Sequence, residues 1–256
     1  MPEGGHAAIT HNGPFRAGKG FLYEGGLRIP LIVRWPGRVT AGRVVDAPVT
    51  NLDWMPTLLE IAGLPPGTGL DGASLAPLLE GRGGAPERPF LWHFPHYTNQ
   101  GGWPGGAVRE GDWKLIEHYE DGRLELYDLA RDPGEAEDQA SREAARAKRL
   151  QGLLTAWRTS TGAQANTPNP GFDAALHRQL YLDVDMSRFR PPAVGPELRA
   201  AVQAWRRRMD GAVPRAPGAS GPRQTSSRFS REVPTDKPIV DMGQRGLSVV
   251  QSKLRP

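Results

Sequence analysis

Lys19-Gly20-Phe21-Leu22-Tyr23-Glu24-Gly25-Gly26-Leu27-Arg28-Ile29-Pro30, closed a few residues later by Trp35-Pro36-Gly37, decides how this chain is read. A lysine between Gly18 and Gly20 sits in a loop and, taken alone, is a solvated side chain. Glu24 and Arg28 have the four-residue spacing of a helix pair. Gly25-Gly26 between them favours a turn instead. Ile29 to Trp35 is apolar except for Arg34, with Pro30 near its start and Pro36-Gly37 at its end. That pattern predicts a strand buried on nearly all sides.

Working outward, Val44-Val45 and Pro48-Val49 predict a second short extended segment. Thr50-Asn51-Leu52-Asp53 has capping-box spacing ahead of Trp54, Leu58, Leu59 and Ile61, so a helix should start near Asp53 and stop at Gly63. A further short helix is expected over Ser74 to Leu79. Gly81 to Pro86 is short, polar and flexible, and marks a domain boundary. Beyond it the pattern changes to hairpins. Ala107-Val108-Arg109 leads through Gly111-Asp112 into Trp113 to Tyr119, and Asp121-Gly122 predicts a two-residue turn into Leu124 to Leu129. Three antiparallel strands need a cover, and Glu137 to Trp157 offers one through Leu150, Leu153, Leu154 and Trp157.

This organisation gives a first unit over 1–85, a small sheet-plus-helix unit over 86–162, an extension over 163–192 and a tail over 193–256. In the extension, Leu176, Leu180 and Tyr181 are expected to pack on the main body. The tail carries 12 Arg/Lys against 5 Asp/Glu, although the whole chain has a net charge of only +4. A solvated extension explains that surplus better than a nucleic-acid-binding arm, with one marginal basic helix over Glu197 to Met209 and disorder over 211–256. The 32 glycines and 25 prolines together make up 57 of the 256 residues, so much of the chain should be loop or disordered. No apolar run reaches the roughly 18 residues that a membrane span needs. With no cysteine, disulfides, thiolate metal sites and a cysteine nucleophile are excluded.

The Lys-Gly-x-x-Tyr-Glu-Gly-Gly segment resembles the closing part of the catalytic domain of sulfatases of the arylsulfatase type. The resemblance continues through Asn51 to Leu59, which matches an Asp-x-x-Pro-Thr-Leu-Leu helix. It extends through Gly105 to Ile116, Glu125 to Leu129, Asp132-Pro133-Gly134-Glu135 and Thr167 to Phe172, covering about residues 12–190 in the usual order. It implies an α/β, alkaline-phosphatase-like fold, truncated here, with a C-terminal antiparallel sheet packed by a helix. It also implies that Lys19 holds the sulfate group and steadies the leaving oxygen, a task suited to a compact ammonium. Gly18 and Gly20 would let the backbone approach a large anion. Glu24, Gly25, Gly26 and Arg28 would brace that loop. His93 and His96, in a loop expected at the pocket mouth, are weaker candidates for substrate contact, with packing between domains as the simpler reading.

Family members use a formylglycine nucleophile made from a Cys/Ser-x-Pro-Ser/Ala-x-Arg motif, and Ca²⁺ to orient the sulfate. Neither is expected here. The nearest lookalike, Ser220-Gly221-Pro222-Arg223, has its arginine one residue too soon and lies on the wrong side of Lys19. Asn12-Gly13 has His11 where the family's metal aspartate belongs. His6 and His11 form no convincing metal pair. The expectation is therefore a sulfuric ester hydrolase by descent that is inactive by itself, with a sulfate ester as the substrate of the intact family. No metal should bind this chain, and a partner carrying the missing N-terminal half could complete it. The alternative is a binding module for a sulfated or anionic partner. Family members usually work in the periplasm, outside the cell or in lysosomes.

Overall fold

A computed structural model describes residues 12–98, 100–183 and 185–188, together with Ala200, Gln203, Ala204 and Arg207. All of them fall within one unit, Glu3–Arg215. His6, His11, most of the basic helix and the expected disorder of 211–256 lie outside the described residues.

The architecture is built on a four-stranded antiparallel sheet in the order β1-β2-β3-β4, formed by Phe90–Phe94, Gly105–Glu110, Trp113–His118 and Leu124–Asp128. Successive side chains on a strand point to opposite faces, and here both faces are covered. Val108, Leu115 and Leu126 pack with Ala147, Leu150 and Leu154 of α4, the helix Ala144–Ser160. Ala107, Ile116 and Tyr127 pack instead against Phe21 and Tyr23. The sheet is therefore the middle layer of three, with the helix on one side and the Lys19 segment on the other.

The helical cover was expected from Glu137 but begins at Ala144. Residues 137–143 are held at the edge of β4 instead. Gln139 N donates to Leu126 O at 2.8 Å, and Asp138 Oδ1 accepts from Leu126 N at 2.9 Å and Ala140 N at 2.8 Å. Strand β1 was not foreseen, and it places His93 on a strand rather than in a loop. The β2–β3 turn is the two-residue Gly111-Asp112, between the paired Glu110 and Trp113. The β3–β4 connection is longer than the expected two residues. His118 N donates to Arg123 O and Gly122 N to His118 O, each at 2.9 Å, which closes a four-residue loop.

N-terminal to the sheet, a 3₁₀ turn at Asn51–Asp53 runs into α2, Trp54–Ile61. Asp53 both caps and ties this segment. Its carboxylate accepts from Thr50 N and Ala73 N at 2.9 Å each, and it pairs with Arg88 just ahead of β1. The short helix α3, Ala76–Leu79, follows. Two expectations fail here. Ile29 to Trp35 forms no strand, and Ile29 and Ile32 are 72% and 90% exposed. Val44-Val45 is likewise unpaired, with Val44 83% exposed. The physical reason is the same for both: no partner strand lies beside them among the described residues, so an extended backbone has no ladder to join. On α2, Met55, Leu58 and Ile61 are exposed, and only Thr57 is buried.

Candidate functional site

The site is built around the turn of residues 12–28. Glu24–Leu27 forms a single helical turn, α1, which the expectation of a plain turn missed. Its tight path depends on glycine because the backbone folds onto itself. A Cβ on Gly25 would lie 2.4 Å from Arg16 O, and one on Gly26 would lie 2.2 Å from Phe21 O. Asn12 Nδ2 closes the turn by donating to Ala17 O at 3.2 Å and Gly25 O at 3.3 Å. Lys19 stands at the outside of this turn. Its side chain is exposed and has no hydrogen bond or ion pair among the described residues.

The turn is fixed to the sheet by buried charge. Lys114, on β3, is completely buried, because its position shares the inward face of Ile116. Its Nζ lies 3.0 Å from Glu24 Oε1 and 2.9 Å from Glu135 Oε1. Glu24 N donates to Glu135 Oε2 at 2.6 Å, and Arg109 approaches Glu24 Oε2 at 3.3 Å. Burial pushes the Glu135 carboxyl above its ordinary value, against the pull of Lys114. Arg28 stays at the rim, 3.8 Å from Glu24 Oε2, with its guanidinium over the Phe15 ring.

A second buried cluster lies alongside. Arg16 donates to Tyr127 Oη at 2.9 Å, Glu135 O at 3.1 Å and Ser187 Oγ, and its guanidinium sits 3.7 Å above the Tyr23 ring. Tyr23 and Tyr127 both donate to Glu125 Oε2, at 2.8 and 2.7 Å. His118 Nε2 lies 3.2 Å from Glu125 Oε1, which also pairs with Arg123. Burial alone would raise the Glu125 pKa. Hydrogen bonding and charge from His118, the Tyr127 hydroxyl and Arg123 win instead, and hold it well below the ordinary 4.5. A carboxyl depressed in this way stabilises the fold fully above its unfolded pKa and ceases to do so as pH falls through the folded value. Each tenfold change in proton affinity is worth about 1.4 kcal/mol. Glu125→Gln should therefore melt lower than the parent chain at pH 7 and lose less stability between pH 5 and pH 3. Thermal melts across that range check this; parallel curves would refute it.

Between turn and sheet lies a cavity of about 230 Å³, with Ile116 and His118 at its floor and Leu22, Leu27, Trp92 and Trp103 around it. Gly20 contributes to its rim next to Lys19. Gly102 presses on this rim: a Cβ there would lie 2.0 Å from Gly20 O. His93 lines the cavity, yet both ring nitrogens are engaged, with Tyr119 Oη at 2.7 Å and Gln164 O at 2.8 Å. A carbonyl can only accept, so Nε2 donates to Gln164 O, while Nδ1 meets the Tyr119 hydroxyl. His96 is exposed and meets Phe94 edge-on. Further out, Tyr181 packs on Tyr97 and stacks on His177.

The acidic side chains around the turn do not suit Ca²⁺. Glu24, Glu125 and Glu135 each face a cationic side chain of the chain itself, which a metal would have to displace. Among the described residues, no three His, Asp or Glu gather into a candidate metal site. Sequence reasoning missed Arg16, Lys114 and Glu125 as members of the site. A signal existed, because the alternation of Trp113 to His118 puts a lysine at a core position.

Comparison with known proteins agrees with this geometry. The family model for the C-terminal region of N-sulphoglucosamine sulphohydrolase matches residues 15–158. A sulfatase of Formosa agariphila is 36% identical over 172 residues, covering 60% of this chain and 31% of the relative. Mouse steryl-sulfatase is 42% identical over 100 residues, covering 38% and 16%. The solved structure of Ps i-CgsB superposes with a TM-score of 0.51 at 27% identity, covering 57% of this chain and 32% of that one. The chain thus spans less than a third of the length of these relatives. The match takes in the lysine turn, the sheet and the helix alike, and on that ground the chain belongs to the sulfatases, of alkaline-phosphatase-like fold, through a region equivalent to the C-terminal part of its members.

Proposed function

We propose that this chain is a sulfuric ester hydrolase by descent, in which Lys19 forms the sulfate-holding corner of the site, and that it does not turn over sulfate esters by itself. The observation that supports this reading is the isolation of Lys19: an exposed cation with no counter-ion among the described residues, on a turn clamped from below by Lys114, Glu24 and Glu135. An ammonium on a turn so fixed can meet an oxyanion without first releasing a partner among the described residues. Inactivity follows from the absence of cysteine and from a serine lookalike with wrong spacing. Lost nucleophile chemistry is not made up by retained binding. His96 is exposed and so accessible to a substrate, whereas His93 braces Tyr119.

The test is hydrolysis of a chromogenic aryl sulfate, with and without Ca²⁺ and a formylglycine-generating enzyme. The expected rate equals the no-protein blank. Turnover above blank that vanishes in Lys19→Ala would overturn the reading of inactivity and keep the role of Lys19. The same exposed lysine supports a second reading, a binding module for sulfated ligands. Saturable calorimetric binding of a sulfated oligosaccharide, lost in Lys19→Ala, would favour it.

A further inference from the structure

Beyond the cover helix the chain returns to the body at a place the site does not use. Ala174–His177 forms a short helix, α5, which runs into a π-helical turn, Arg178–Leu182. Asp183 N closes that turn by donating to Arg178 O at 2.8 Å. Among the described residues, no hydrogen bond or ion pair joins 173–183 to the rest of the chain. Two ring contacts hold it there. Tyr181 meets Tyr97 with centroids 5.0 Å apart, and His177 meets Trp103 at 5.2 Å. Phe172 at 5.4 Å and Tyr181 at 5.6 Å also flank the His177 imidazole.

His177 Nε2 is buried and has no hydrogen-bond partner among the described residues. A neutral ring suits such a place. An imidazolium would hold a buried, charged N–H with nothing to receive it. Burial accordingly keeps the His177 pKa below its ordinary 6.5, against the pull of Glu120 and Asp121. The other groups around the contact do not offset this. Arg123 already stands over the Trp103 ring at 5.1 Å, and Arg178 is paired with Asp183 at 3.4 Å. His118 meets Trp103 at 4.4 Å but faces Glu125. Tyr97 and Tyr181 stay neutral, since burial raises both. Trp103 is the link to the site, because it also lines the cavity beside Gly20.

We infer that residues 173–182 are an acid-released strap. They dock on Trp103 while His177 is neutral and let go when its imidazole takes a proton, which bares one wall of the cavity under the Lys19 turn. The sign follows from linkage. The undocked strap binds the proton more tightly, so docking is full above the ordinary histidine value and is lost as pH falls through the docked one. The inference does not depend on what Lys19 binds.

The experiment is amide exchange on the full chain at about pH 7.5 and about pH 5.5, corrected for the intrinsic pH dependence of exchange. The His177 ring resonance is followed by NMR across the same range. Protection of 174–182 should fall at least about fivefold at the lower pH while β2–β4 keep theirs. The ring should titrate below 6.5. His177→Phe keeps a ring at the contact and cannot take a proton, so its strap should stay protected within about twofold at both values. Unchanged protection in the parent, an equal loss in His177→Phe, a loss shared by β2–β4, a strap unprotected even at the higher pH, or a ring midpoint at or above 6.5 would each overturn the inference. If His177→Phe does not fold, the ring midpoint and the exchange of the parent decide it. No sulfate ester enters the assay, so its failure leaves the Lys19 reading standing.

Discussion

Lys114→Met should destabilise the chain by about 3–5 kcal/mol, a loss comparable to the whole stability of a modest domain. Methionine matches the lysine in length, so packing changes little and charge changes most. With the ammonium gone, Glu24 and Glu135 face each other in the interior, and the cations that remain, Arg109 and Arg28 at the rim, both lie beside Glu24. Two carboxylates so placed cannot both stay ionised, and the one that takes a proton also forfeits its hydrogen-bond pattern. Replacing the whole group, as Lys114→Met with Glu24→Gln and Glu135→Gln, should recover much of the loss, because discharged polar groups cost far less to bury than orphaned charges. Urea unfolding followed by circular dichroism compares the three proteins. A single variant within about 1 kcal/mol of the parent would mean that the buried ions contribute little.

Gly26→Ala should be nearly as damaging, by a different route. Its added methyl would lie 2.2 Å from Phe21 O and 2.6 Å from Gly18 O, both rigid backbone atoms. The turn must open, which withdraws Phe21 and Tyr23 from the sheet and displaces Lys19. A loss of about 2–4 kcal/mol is expected, in the range of core overpacking and buried-contact loss. Limited proteolysis should then cut within 12–28 first. Gly152→Ala is the internal control: it lies in α4 with open space around it. There alanine should stabilise by about 0.5–1 kcal/mol. Equal effects of the two substitutions would refute the steric account.

What the sequence disclosed and what it hid divide along one physical line. Local patterns were legible: the Thr50–Asp53 start, the Gly111-Asp112 turn and the Leu150/Leu154 face each depend on a few neighbouring residues. Ile29–Trp35 was misread because its composition describes the environment a strand would want, while pairing depends on another segment being present. Strand β1 escaped notice although Phe90 to Phe94 is apolar except for His93 and lies between Pro89 and Pro95. The charged network was hidden for a different reason. Lys114, Glu24 and Glu135 are far apart in sequence, and each alone passes for a solvated side chain. Lys19 and its glycines stood out only through resemblance, and their turn is held by partners that no local pattern announces.

Arg16 reaches across 111 residues to Tyr127 and 171 to Ser187. A sheet whose second face is completed by so distant a segment cannot mature hairpin by hairpin. Its β2–β3–β4 ladder and α4 can assemble from nearby chain, but the layer beneath must wait for a long loop to close, and that entropy is lost before the buried contacts repay it. Until then Ile116 and Tyr127 lie open to water, and Lys114 lacks Glu24. The chain should therefore linger in a half-dressed intermediate during refolding. A cut near residue 85, which looks in sequence like a seam between domains, would release a sheet unable to finish its own interior.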